Sequence, residues 1–134
     1  MKLETSRFLV MARSFLAKAE GMRGQGWPDE AGRAAYLAAF HGAQAVIFQT
    51  TGQVAKTHRG VHTEFARIVK DLPGLDREIW QFLRGGYTLK SVADYGTDPD
   101  VTITDAEAAT AIEDARRFFD QALRAIPASR TESS

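Results

Sequence analysis

The densest run of chemically versatile side chains is Lys56-Thr57-His58-Arg59-Gly60-Val61-His62. Imidazole titrates near neutrality and can give or take a proton, while guanidinium grips phosphate oxygens through two parallel hydrogen bonds. With a helix starting near His58, Arg59 and His62 stand about 60° apart around its axis and share a face. Such a pair suits phosphodiester chemistry. A histidine moves a proton at a ribose 2′-hydroxyl or leaving oxygen, and an arginine stabilises the extra negative charge. The same run also fits a plainer role, a threonine-capped helix start dressed with solvated cations. His58, Arg59 and His62 are the catalytic candidates. Lys56, Thr57, Lys90, Asp94 and Tyr95 are the candidates for holding a nucleotide or RNA.

Other polar features point to less. His41, between Phe40 and Gly42, reads as a hydrogen-bonded packing histidine. Lys90 and Asp94 are four residues apart, a spacing that serves a salt-bridged helix end as well as the wall of a polar cleft. The glycine-rich stretch Gly21-Met22-Arg23-Gly24-Gln25-Gly26 follows a helix rather than a strand, which is the wrong context for a dinucleotide loop. Three histidines without ligand spacing, and no cysteine at all, give no metal site, no disulfide and no thiol nucleophile. No cofactor is expected.

The elements that must position these residues are helices. Phe8, Leu9, Ala12, Phe15, Leu16 and Ala19 recur at spacings of three and four, the stripe of an amphipathic helix. Trp27-Pro28-Asp29-Glu30 opens a second, with proline in the first turn and acids facing the positive end of the dipole. It runs to Thr51-Gly52 and is so rich in alanine and glycine that it reads as the central helix of a bundle. A third covers Arg59 to Lys70, before the stop signal Leu72-Pro73-Gly74. A fourth stripe from Leu75 to Ala93 is weakened in the middle by Gly85-Gly86. Thr104-Asp105-Ala106-Glu107 has the capping-box pattern and opens a last helix ending at Pro127. No run shows sustained strand alternation. The fold class is all-α, an antiparallel bundle of four to five helices, with residues 1–127 as one domain and 128–134 as a disordered tail.

Composition agrees with one soluble domain. The 134 residues are 44% hydrophobic and 25% charged, close to the globular average. Lysine plus arginine and aspartate plus glutamate each number 17, which excludes a uniformly basic nucleic-acid module and leaves room only for a local basic face. The apolar run from Phe8 is cut by Arg13, and no stretch reaches a bilayer span, so the expectation is a cytoplasmic protein without a membrane partner. The alanine-rich central helix, with Phe118 and Phe119, suggests an exposed apolar face that a second copy would cover.

Taken in order, the segments Ala35-Tyr36-Leu37-Ala38-Ala39-Phe40-His41-Gly42-Ala43-Gln44-Ala45, Gly52, Lys56-Thr57-His58-Arg59-Gly60-Val61 and Ala93-Asp94-Tyr95-Gly96 resemble the HEPN superfamily. They are most similar to its branch with a Tyr-x-x-x-Phe-His-Ala-Ala helix, a Lys-Thr-His turn and an Ala-Asp-Tyr ending. The likeness runs from Phe8 to Ile126, nearly the whole chain. It implies a helical bundle that forms a homodimer. It also implies a non-catalytic or weakly active protein that binds a nucleotide or RNA, or that partners a minimal nucleotidyltransferase. The alternative is a metal-independent RNase toxin of a toxin–antitoxin pair.

Whether the chain is an enzyme stays open at this point. The family's RNase signature is an arginine, four to six residues, then a histidine. Here seven residues separate Arg33 from His41 and two separate Arg59 from His62, so no standard catalytic residue carries over. Lys90 stands where relatives of this branch carry an arginine, keeping the charge and losing the planar fork. The geometric expectation is that two copies, on meeting, bring the Thr57–His62 corner and the Asp94–Tyr95 corner into a common pocket.

Overall fold

The computed structural model describes residues 1–95 and 102–126. The expectations for the 128–134 tail and for the Tyr95 side chain lie outside the described residues. Among those residues there are five helices and no strand: α1 (Leu3–Gly24), α2 (Pro28–Thr51), α3 (His58–Val69), α4 (Arg77–Tyr95) and α5 (Asp105–Ala125). The architecture is an all-α bundle, and no helix among the described residues is long and apolar enough to cross a membrane.

α2 lies at the centre and touches all four other helices. Its composition explains why it can. Ala31, Ala34, Ala35, Ala38, Ala39, Ala43 and Ala45 are all buried, so neighbouring helix backbones approach closely on several sides at once. At Gly42, a Cβ would stand 3.4 Å from the Phe118 ring of α5, the distance of ordinary contact. Two apolar clusters result. One gathers the large side chains, including Phe8, Tyr36, Phe40, Ile47, Val61, Phe65, Leu83 and Phe118. The other is built from alanines of α1, α2 and α5 with Ile103 and Ile112.

Local chemistry sets the helix ends. Pro28 takes the first position of α2, followed by Asp29 and Glu30 in its first turn, and Gly52 ends the helix at φ +73°, where glycine meets no steric penalty. Thr104 and Glu107 form the reciprocal capping box at the start of α5. Asp29 reaches across to accept the backbone N–H of Ile103 at 2.7 Å, tying the segment before α5 to the start of α2.

α4 runs through Gly85-Gly86 as one helix, and Gly86 is the residue that lets it press against α2. One expectation needs correction. The central helix, Phe118 and Phe119 do not form an exposed apolar face: Phe118 is fully buried, Phe119 nearly so, and the α2 alanines are covered by the surrounding helices. Among the described residues the large apolar side chains left exposed are Leu3, Val10, Met11, Trp27, Val54 and Tyr87.

Candidate functional site

The site begins inside α2. Tyr36 is fully buried, and its hydroxyl meets two imidazoles of α3, His58 Nδ1 at 2.8 Å and His62 Nε2 at 2.8 Å. Those histidines are one helical turn apart, about 40° around the axis, which is why a single hydroxyl can reach both. α3 is set in this register by Thr57, whose Oγ1 accepts the backbone N–H of Gly60 at 2.9 Å, and by Val61 and Phe65, both fully buried.

α4 closes the other side. The Tyr87 ring lies 5.2 Å from that of His58 and 6.1 Å from that of His62, and Phe40 packs on His58 at 4.5 Å. This aromatic surround shapes the titration of each group. Burial, then the charges of Lys90 and His41, lower the pKa of His58, opposed by Asp94. Burial, then His58 and Arg84, lower that of His62. Burial and Tyr87 raise that of Tyr36 well above the ordinary phenol value. At neutral pH the cluster therefore holds a protonated phenol and two imidazoles that resist a positive charge.

Outside this cluster a cleft of about 550 Å³ runs between α3 and α4, lined by His58, Arg59, His62, Trp80, Arg84 and Tyr87 among others. The Arg84 guanidinium lies over the Trp80 ring at 5.1 Å, a cation–π contact that holds its charge at the rim. Beyond Tyr87, Lys90 donates to Asp94, which also accepts from Arg33 Nε of α2 at 2.7 Å. Two cations on one carboxylate hold the Asp94 pKa low, with the Lys90 hydrogen bond the larger influence.

His58, Arg59 and His62 thus share one cleft, and Lys90 and Asp94 stand close enough to His58 to shift its titration. Neither Lys90 nor Asp94 is in the lining of that cleft: they lie beyond Tyr87, with Lys90 Nζ 6.0 Å from the centre of its ring. Thr57 is engaged in capping α3, and Lys56 is exposed in the connection before it. His41 is elsewhere: its Nδ1 pairs with Gln44 Oε1 at 2.7 Å and its ring stacks on Phe15 at 5.4 Å. Burial lowers its pKa.

Sequence reasoning used Tyr36 only as part of the family resemblance and missed it as a site residue, along with Trp80, Arg84 and Tyr87. A signal did exist for the last three, since positions 80, 84 and 87 follow the spacing of one helix face. That this face meets α3 is a tertiary fact.

A family model described as the HEPN domain matches residues 5–125. The crystal structure of TT1696 from Thermus thermophilus superposes with a TM-score of 0.78 at 21% sequence identity, covering 92% of this chain and 98% of that one. At that identity the likeness is one of fold. No curated protein matches the chain.

Proposed function

Since the chain belongs to the HEPN domain family, we propose that it binds RNA or a nucleotide by its phosphate in the cleft between α3 and α4. The observation that carries this reading is the joint lining of that cleft by two guanidinium groups, two imidazoles and two aromatic rings. Arg59 and Arg84 supply forked donors for a phosphate, and Trp80 and Tyr87 supply faces on which a base can stack. In a chain of zero formal charge, a local cluster of cations is what a phosphate would find.

The test is titration of a short single-stranded RNA and of a nucleoside monophosphate into the protein in EDTA. Wild type is expected to bind, and the double variant Arg59→Ala with Arg84→Ala to bind at least about tenfold more weakly. Equal affinity in the two proteins would sink the reading.

One observation favours a second reading, a metal-independent RNase: two imidazoles, the residue type best suited to proton transfer at neutral pH, are fixed side by side on one hydroxyl. RNA left equally intact by wild type and by a variant with His58→Ala and His62→Ala would end it. A homodimer and a minimal nucleotidyltransferase partner are proposed from family membership. Sedimentation of the pure protein and co-purification with a transferase encoded beside it test them.

A further inference from the structure

A phenol hydroxyl carries one proton and accepts through two lone pairs. Tyr36 shares that hydroxyl between His58 Nδ1 and His62 Nε2, each at 2.8 Å. Among the described residues the hydroxyl and the two rings have no other hydrogen-bond partner. The single phenol proton therefore goes to one imidazole, and the other imidazole must give its own N–H to the phenol oxygen. The outer nitrogens, His58 Nε2 and His62 Nδ1, are open to solvent: among the described residues only Trp80 Nε1 is a buried side-chain nitrogen without a partner, and both histidines line the cleft.

We propose that Tyr36 joins His58 and His62 into one proton relay, in which one outer nitrogen carries a proton whenever the other presents a lone pair. Two arrangements satisfy the bonding. In the first, Tyr36 donates to His58, so both rings are protonated at Nε2; His58 is the outer donor and His62 the outer acceptor. In the second, Tyr36 donates to His62, both rings are protonated at Nδ1, and the roles reverse. Either way the pair offers an acid and a base at once, without an imidazolium.

The use of the relay rests on the reading that the cleft takes RNA. In the first arrangement a ribose 2′-oxygen attacks the phosphorus and its proton passes to His62 Nδ1. The Nε2 proton of His62 moves to the Tyr36 oxygen, the phenol proton moves to His58 Nδ1, and the Nε2 proton of His58 goes to the departing 5′-oxygen. The phosphorus–oxygen bond to that oxygen breaks, leaving a 2′,3′-cyclic phosphate and the protein in the second arrangement, with no change in its charge. The surroundings favour such neutrality. Lys90 and His41 oppose a positive His58, as Arg84 opposes a positive His62; Asp94 alone favours charge, and Tyr87 faces both rings. Tyr36 is a positioning residue here, acting through the histidines.

The test is nitrogen-15 NMR of the full chain at about pH 8, where both rings are neutral. Equal fractions of the Nε2–H tautomer in His58 and His62 are expected, with the two fractions diverging in Tyr36→Phe. Opposite tautomers in the wild type, or fractions unmoved by Tyr36→Phe, would overturn the relay, and the first of these needs no variant to fold. With RNA in EDTA, wild type is expected to leave 2′,3′-cyclic phosphate ends and Tyr36→Phe to cut about 10²-fold more slowly. RNA that binds but is never cut overturns the transfer step. RNA that fails to bind overturns the reading of the cleft, and the tautomer measurement, made without RNA, distinguishes that failure from failure of the relay.

Discussion

Gly86 of α4 lies against the ring of Tyr36 of α2, so closely that a Cβ built on it would stand 2.9 Å from Tyr36 Cδ1. Real side chains do not approach that near, so only glycine lets α4 sit where it does. The hydroxyl of the same ring holds both histidines of α3, and three helices are therefore in register through one tyrosine.

Gly86→Ala and its neighbour Gly85→Ala should move stability in opposite directions. Nothing lies within 4 Å of a Cβ at Gly85. Gly85→Ala is expected to stabilise the helix by about 0.5–1 kcal/mol, whereas overpacking at Gly86→Ala outweighs the same gain and costs about 1–2 kcal/mol. Urea denaturation of the two variants measures this. A stabilised Gly86→Ala would show the contact to be slack.

Stability should fall on mild acidification. His41, His58 and His62 all have pKa values below the ordinary 6.5, chiefly through burial. The unfolded chain takes up protons first as pH falls through that value, so their contribution is complete above it and declines below it. The thermal midpoint is expected to drop between about pH 8 and about pH 5, and a flat profile would contradict the burial of these rings.

The two threonine caps should each matter to folding. Thr104→Ala removes the capping box of α5, and Thr57→Ala removes the acceptor for Gly60. Each is expected to cost about 1 kcal/mol, read by thermal or chemical denaturation. If Thr57→Ala leaves stability unchanged while weakening RNA binding, its hydroxyl serves a ligand rather than the helix.

Salt should report the phosphate contacts. Affinity for a short RNA is expected to fall as salt rises, and Arg59→Ala and Arg84→Ala are each expected to lower the slope of log affinity against log salt by about 1. An unchanged slope in both variants would place the phosphate elsewhere.

The helices were legible because their signals are local. The stripe at Phe8, Ala12 and Phe15, the proline and acids at 28–30, and the Thr104–Glu107 box depend only on near neighbours in sequence. Half of the site was legible too, since His58, Arg59 and His62 sit on one short helix. The other half was not. Tyr36 is 22 residues from His58, and its hydroxyl differs in no sequence pattern from that of a tyrosine packed for bulk. The role of Gly86 was hidden for a related reason: glycine in a helical stripe reads only as weakness unless the partner it admits is known. Phe118 and Phe119 suggested an outer face because hydrophobicity alone does not say on which side of a helix the core lies.

Asp94 accepts from Arg33 as well as from Lys90, so α4 is fastened to α2 near its last turn, two turns beyond the place where Gly86 touches Tyr36. Asp94 follows Tyr87 by seven residues, two turns, so this tie is made on the same face of α4 that carries Trp80, Arg84 and Tyr87. The spacing of α4 from α2 is thus held at two points, a ring contact at Gly86 and an ion pair at Asp94. Arg33 and Gly86 consequently bear on where the α4 wall of the cleft stands, although neither is among the residues that line it.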